Sequence, residues 1–133
     1  MSEGAERWTA GTAYHAIDPV RVADTRAGTD TPSSTGVKLP GGAIHSVDVA
    51  TVAGLPPGMS AVAINVTVVE PTAASFLTVY PGEGQRPAEP SICFAAGQTV
   101  STWRVTATTD GVINIYNGAG ATHIVVDLYG FYC

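Results

Sequence analysis

Hydrophobic and polar positions alternate with a period of two along much of this chain, most regularly over residues 61–81, AVAINVTVVEPTAASFLTVYP. Val62, Ile64, Val66 and Val68 fall on one side, and Ala63, Asn65 and Thr67 on the other. Successive side chains of a strand point to opposite faces, so the pattern predicts a strand with one apolar face. Val, Ile and Thr are stiff at χ1 and fit a pleated surface better than a helix. Glu70-Pro71-Thr72-Ala73-Ala74-Ser75 supplies a turn, because proline fixes φ and donates no ladder hydrogen bond. Phe76-Leu77-Thr78-Val79-Tyr80 resumes the alternation and Pro81-Gly82 ends it. Together these residues predict a long hairpin.

The rest of the chain repeats the theme. Residues 1–13 are polar and patternless, which predicts an arm. Residues 18–26, DPVRVADTR, read as a short strand running into a polar corner, followed by a Gly/Ser/Thr/Pro loop over 27–40. Gly41-Gly42 opens a strand at 43–49, and Leu55-Pro56-Pro57-Gly58 is a turn. After a loop at 83–90 come strands at 91–94, 99–108, 112–116 and 122–132. Asp110-Gly111 is a hairpin-type turn. Short strands separated by turn residues at this frequency predict an all-β fold without a long helix. The expectation is a single antiparallel β-sandwich or jelly-roll-like domain over residues 14–133, with a polar N-terminal arm.

An internal echo strengthens it. Leu77-Thr78-Val79-Tyr80-Pro81-Gly82-Glu83-Gly84 matches Ile113-Asn114-Ile115-Tyr116-Asn117-Gly118-Ala119-Gly120 in character, position by position. Two strands that end in Tyr and a Gly-rich turn predict two related hairpins, with Gly82 and Gly118 at positive φ.

Composition narrows the function classes. The 133 residues carry 6 Lys plus Arg against 11 Asp plus Glu, scattered singly, so no basic stripe exists to neutralise phosphates, which argues against nucleic-acid binding. No apolar run reaches the ~18 residues of a membrane span. The first residues show neither a basic start nor an apolar core, so a secretory signal is not expected.

Little points to catalysis. No serine sits in a G-x-S-x-G elbow, and Gly58-Met59-Ser60 precedes a strand rather than a helix. His15, His45 and His123 stand apart, without metal-ligand spacing, and neither cysteine has a partner pair for a metal site. Cys93 with His45 or His123 as base would need a proximity that nothing in the sequence supplies. Cys93 and Cys133 either bridge, tying the C-terminus to a strand, or remain as one buried thiol and one loose terminal thiol. Asp24 between Arg21 and Arg26 reads as a structural corner, the carboxylate accepting loop N–H groups and pairing with an arginine. No cofactor is expected. Asn65-Val66-Thr67 matches a glycosylation sequon, but inside a strand it is discounted.

Aromatic residues are the better candidates for contact. Trp8, Tyr80, Trp103, Tyr116 and Tyr129 offer rigid apolar area with polar tips, which suits sugar faces and protein partners. Their competing use is to plug the ends of the sandwich.

Val20-Arg21-Val22-Ala23-Asp24-Thr25-Arg26, residues 61–81, Ser91-Ile92-Cys93-Phe94, Gly97-Gln98-Thr99-Val100, residues 113–118 and residues 125–132 occur in that order. In this series the chain resembles a β-rich module of exported and cell-surface proteins of actinobacteria, seen also in virion proteins of phages that infect them. The resemblance spans roughly residues 14–132 and brings no catalytic residues with it. It departs at Cys93, and at Trp103-Arg104 in a stretch that is usually apolar, which marks a tailored surface there. The implied function is non-enzymatic: a structural virion component, a head-decoration or tail/fibre protein, partnered by other virion subunits or by itself in a homo-oligomer. The arm, with Trp8 as its anchor, would dock on the neighbour. The alternative is a carbohydrate- or wall-binding module, placed in a secreted or cell-surface protein instead of a virion.

Overall fold

The computed structural model describes residues 13–28, 31, 35–56 and 58–133. Among these, nine strands and one short helix occur in the order β1 (Tyr14–Asp24), β2 (Leu39–Pro40), β3 (Ile44–Asp48), α1 (Val49–Ala53), β4 (Ala61–Val69), β5 (Ser75–Pro81), β6 (Ile92–Phe94), β7 (Val100–Ala107), β8 (Val112–Asn117) and β9 (Ala121–Tyr132). They build two antiparallel sheets. The first, of five strands, has the order β1-β9-β4-β7 with β2 also on β9, and the second, of four, has the order β3-β8-β5-β6. The fold is an all-β sandwich.

The alternation is visible in the packing. Val62, Ile64, Val66 and Val68 are all 0% exposed and share one core with Val126 and Leu128 of β9, Leu77 and Val79 of β5, and Ile113 and Ile115 of β8. Asn65 and Thr67, facing out, stay half-buried. Ala63 is buried as well, at 1%, although its parity sets it on the outer face.

The expected hairpin over residues 61–81 does not form. β4 pairs with β7 and β9 in the first sheet, whereas β5 pairs with β6 and β8 in the second. Glu70, at φ 53, and the buried Pro71 turn the chain across the sandwich instead of back along β4. Asp110-Gly111 behaves the same way. Both residues have positive φ (51 and 83) and close a bridge between Thr109 and Val112, yet β7 and β8 then part to different sheets. A turn residue reports local dihedrals, not which strand the chain joins next.

The echo is real, but it is not two hairpins. β5 and β8 are antiparallel neighbours, with Leu77 opposite Asn117 and Pro81 opposite Ile113, so the matching segments are related by a local two-fold axis between them. The equivalence extends to the glycines: the Gly82 N–H donates to the Val112 carbonyl at 2.9 Å and the Gly118 N–H to the Phe76 carbonyl at 3.1 Å. Neither glycine has a positive φ. Their requirement is space, because a Cβ on Gly82 would lie 2.7 Å from Val112 Cγ1 and one on Gly118 would lie 2.5 Å from Phe76 Cε1.

One element went unforeseen. Asp48 caps α1, its Oδ1 accepting the Thr51 N–H at 3.1 Å and its Oδ2 the Thr51 hydroxyl at 2.9 Å. Gly54, in the left-handed region, ends the helix after five residues.

Two tests follow from this packing. Val66→Asp places an unpaired charge at a fully buried position and should cost about 4 kcal/mol in urea unfolding, enough to unfold much of the population. Gly118→Ala and Gly82→Ala should each lower stability by about 1–3 kcal/mol through overpacking, read as a fall in Tm against an unaltered circular dichroism spectrum. Wild-type stability in either alanine variant would show that the neighbouring side chain moves aside freely.

Candidate functional site

The outer face of the five-stranded sheet collects the exposed aromatic residues. Pairing sets one row straight across it: Trp103 on β7, Asn65 on β4, Asp127 on β9 and Arg21 on β1. A neighbouring row holds Val105, Ala63, Gly130 and Ala16. The register of β9 against β4 slips between Leu128 and Gly130, so Tyr129 has no partner on β4 and occupies a bulge. From there its ring meets Trp103 edge-on, with centroids 5.1 Å apart and planes at 62°. The two residues are remote in sequence, and the pairing of β4 with both β7 and β9 brings them together.

The patch continues to the other edge of the sheet. Tyr14 lies directly over Gly130, where an added Cβ would strike its ring, and its centroid is 5.0 Å from that of Tyr132. Trp103 is 53% exposed, Val105 52% and Tyr14 45%. Charge is nearly cancelled within the row: Arg21 Nε and Nη2 donate to the two Asp127 carboxylate oxygens at 2.9 and 3.4 Å. The face is therefore a platform of ring and aliphatic surface, with an amide and one internal ion pair beside it. Val105 and Tyr14 were not among the expected contact residues. For Val105 the signal was alternation in β7, an edge strand whose apolar residues could have faced either way.

The other aromatic candidates lie elsewhere. Tyr80 and Tyr116 share the outer face of the four-stranded sheet, but Tyr80 is only 4% exposed. The Arg86 guanidinium, from the loop between β5 and β6, sits 3.7 Å over the Tyr116 ring and covers it. Tyr80 is thus buried, and one face of the half-exposed Tyr116 ring is occupied by Arg86. Trp8, and with it residues 1–12 of the arm, lies outside the described residues.

The corner is assembled as a charge cluster. The Asp24 carboxylate, fully buried, accepts from Arg26 Nε at 2.9 Å, Arg26 Nη2 at 2.7 Å and the Arg26 backbone N–H at 3.1 Å. Arg21 Nη1 stands 3.5 Å from Asp24 Oδ2 while its other nitrogens hold Asp127, so β1 is tied to β9 through one arginine. These hydrogen bonds, with Arg26 the largest influence, hold the Asp24 pKa below its ordinary value of 3.8. Just beyond, Thr25 Oγ1 lies 3.0 Å from His123 Nδ1 and accepts the Ile124 N–H at 2.9 Å.

The cysteines do not bridge. Both are free, Cys93 on β6 of the four-stranded sheet and Cys133 after β9 of the five-stranded one. The expected roles are reversed: Cys93, whose parity beside Phe76 turns it outward, is exposed, whereas terminal Cys133 is half-buried and packs on the core. Among the described residues no group of three His, Cys, Asp or Glu side chains could hold a metal ion, and no helix is long and apolar enough to cross a membrane. No protein-family model and no curated protein sequence matches the chain.

Acid should loosen this structure in two stages. Burial depresses the pKa of His45 below 6.5, and burial followed by the Lys38 charge does the same for His123. A depressed folded-state pKa means that the unfolded chain binds the proton first, so stability falls as the pH drops below about 6.5 for the histidines and below 3.8 for Asp24. Urea midpoints measured from pH 8 to pH 3 should show both declines, and Asp24→Asn should remove most of the lower one. A midpoint that rises on acidification would contradict the assignment.

Proposed function

We propose that this protein is a non-enzymatic docking subunit, a structural component of the virion of an actinobacterial phage, of the head-decoration or tail/fibre kind. It seats on a neighbouring subunit, its own copy included, through the outer face of the five-stranded sheet. The observation that carries the docking reading is the exposure of Trp103, Val105 and Tyr14 on one charge-poor face. Contact cores between proteins are depleted in charge and enriched in Trp and Tyr, and apolar patches left on a surface mark interaction sites. The virion setting rests on the sequence resemblance.

A second reading has its own support. The half-exposed Trp103 indole, edge-on to Tyr129, lies opposite Asn65, and a sugar uses such a combination of an apolar ring for its C–H face and a polar group for its hydroxyls. On that reading the chain is a carbohydrate- or wall-binding module of a secreted or cell-surface protein.

Trp103→Ala separates the outcomes. A half-exposed residue contributes little to folding, so Tm should barely change, while self-association or co-sedimentation with virion particles should weaken by about 2 kcal/mol or more if the indole is a hot spot. Unchanged association in the variant would remove this face from the docking reading. Saturable binding to wall polysaccharide that Trp103→Ala abolishes, without any particle binding, would establish the second.

A further inference from the structure

The edges of the two sheets are finished in different ways. In the five-stranded sheet β1 carries Asp18-Pro19 inside one break of register with β9 and breaks again between Arg21 and Ala23, and β2 is two residues ending in Pro40. In the four-stranded sheet β6 has three residues, and β3 has five and runs straight into α1. Short strands, proline, charge and bulges are the devices that keep a sheet edge from pairing with another chain. β7 lacks most of them: it has eight residues, no proline and an unbroken register with β4. Its single charge is Arg104, on the opposite side of the strand from Trp103 and Val105.

The open groups on this edge can be named. The Thr108 N–H donates to the Ser60 carbonyl at 3.0 Å, continuing the β4–β7 ladder past Ala61 and Ala107. Amides of a strand alternate in direction, so those of Thr106, Arg104 and Thr102 also point at β4. The Ile124 carbonyl, taken by the Thr25 N–H on the side of β1, sets the same phase across β9 and β4. The amides of Ser101, Trp103 and Val105 therefore point away from the sheet, and among the described residues no acceptor meets them.

We propose that β7 pairs with β7 of a second copy, antiparallel about a two-fold axis at Trp103, and so joins two five-stranded sheets into one. In that register the Ser101 amide meets Val105 of the second copy, Trp103 meets its counterpart, and Val105 meets Ser101. The two indoles, each half-exposed in the single chain, become a cross-strand aromatic pair, and Arg104 faces Thr102. A register centred on Arg104 would set two guanidinium groups opposite each other, which is unfavourable. The strand is thus complementary to itself in the one arrangement that separates its charges and brings its indoles together, which a foreign strand would not reproduce. Because the other described edges are blunted, copies meet β7 to β7, and the contact closes on a dimer instead of running on as a filament. This goes beyond the docking reading, which uses the outer face, since the main chain at the sheet edge makes the contact. A strand pair with two indoles is small for a specific interface, so the dimer is a weak one.

The test is NMR-detected amide exchange of the whole chain from about 10 µM to about 1 mM, the range that brackets a weak interface, with sedimentation over the same range. The Ser101, Trp103 and Val105 amides should exchange more slowly as concentration rises and a dimer appears. Those of Thr102 and Arg104, already held by β4, should not change. Ser101→Pro removes an outward donor and none of the β4 ladder, so it should keep its Tm and raise the dimer dissociation constant about tenfold or more. Tyr14→Ala, on the opposite edge strand, alters the outer face alone and should leave the dimer intact. Association lost in Tyr14→Ala but kept in Ser101→Pro would overturn the edge pairing and leave the docking face standing. Edge amides that exchange equally fast at every concentration would overturn it as well, whether or not Ser101→Pro folds.

Discussion

The contact on which everything else depends is the pressing of the apolar face of β4 and β9 against that of β5 and β8. Each buried Val, Ile or Leu there is worth about 1.5–3 kcal/mol relative to exposure, and neither sheet could shield that face alone. Parity then does the rest. Once Val66 must face inward, Asn65 and Thr67 must face outward, and the strands on either side of β4 bring Trp103 and Asp127 into line with Asn65. The aromatic platform is thus a by-product of core burial, positioned by the same two-residue period.

The local two-fold between β5 and β8 shows the same economy. One short pattern, aliphatic-polar-aliphatic-Tyr followed by a glycine two residues on, is used twice in opposite directions. Each copy places its aliphatic residues in the core and its glycine against the start of the other strand, Gly82 on Val112 and Gly118 on Phe76. A single backbone hydrogen bond at each end, from Gly82 and from Gly118, closes the pair. Of the two tyrosines, Tyr80 is buried and Tyr116 carries the Arg86 guanidinium on its ring.

Element type was legible in the sequence and partnership was not. Period-two alternation located β4, β5, β7, β8 and β9 because side-chain direction is a local property. Pairing depends on where a turn sends the chain, and residues such as Glu70 and Asp110 adopt positive φ without advertising which sheet comes next. The Asp24 corner was readable since Arg21, Asp24 and Arg26 lie within one six-residue stretch. Trp103 and Tyr129 were readable as aromatic candidates, but their contact arises from two long-range ladders and a bulge. The open amides of β7 had no signal at all, since an unmet hydrogen bond is a statement about surroundings. The five-residue helix announced itself only through Asp48 and Gly54, and its alternation with β3 masked both.

The pairing of β1 with β9 has a kinetic side. Tyr14 lies opposite Tyr132, and Ala13 exchanges backbone hydrogen bonds with Cys133, so the first described strand closes on the last. The five-stranded sheet therefore stays open until β9 itself has been made. Contacts between such distant segments form slowly, because loop closure must come before any pairing rewards it. Until then β1 and β4 wait with their apolar faces uncovered, and the time spent in that unfinished state is set by topology more than by the strength of any one contact.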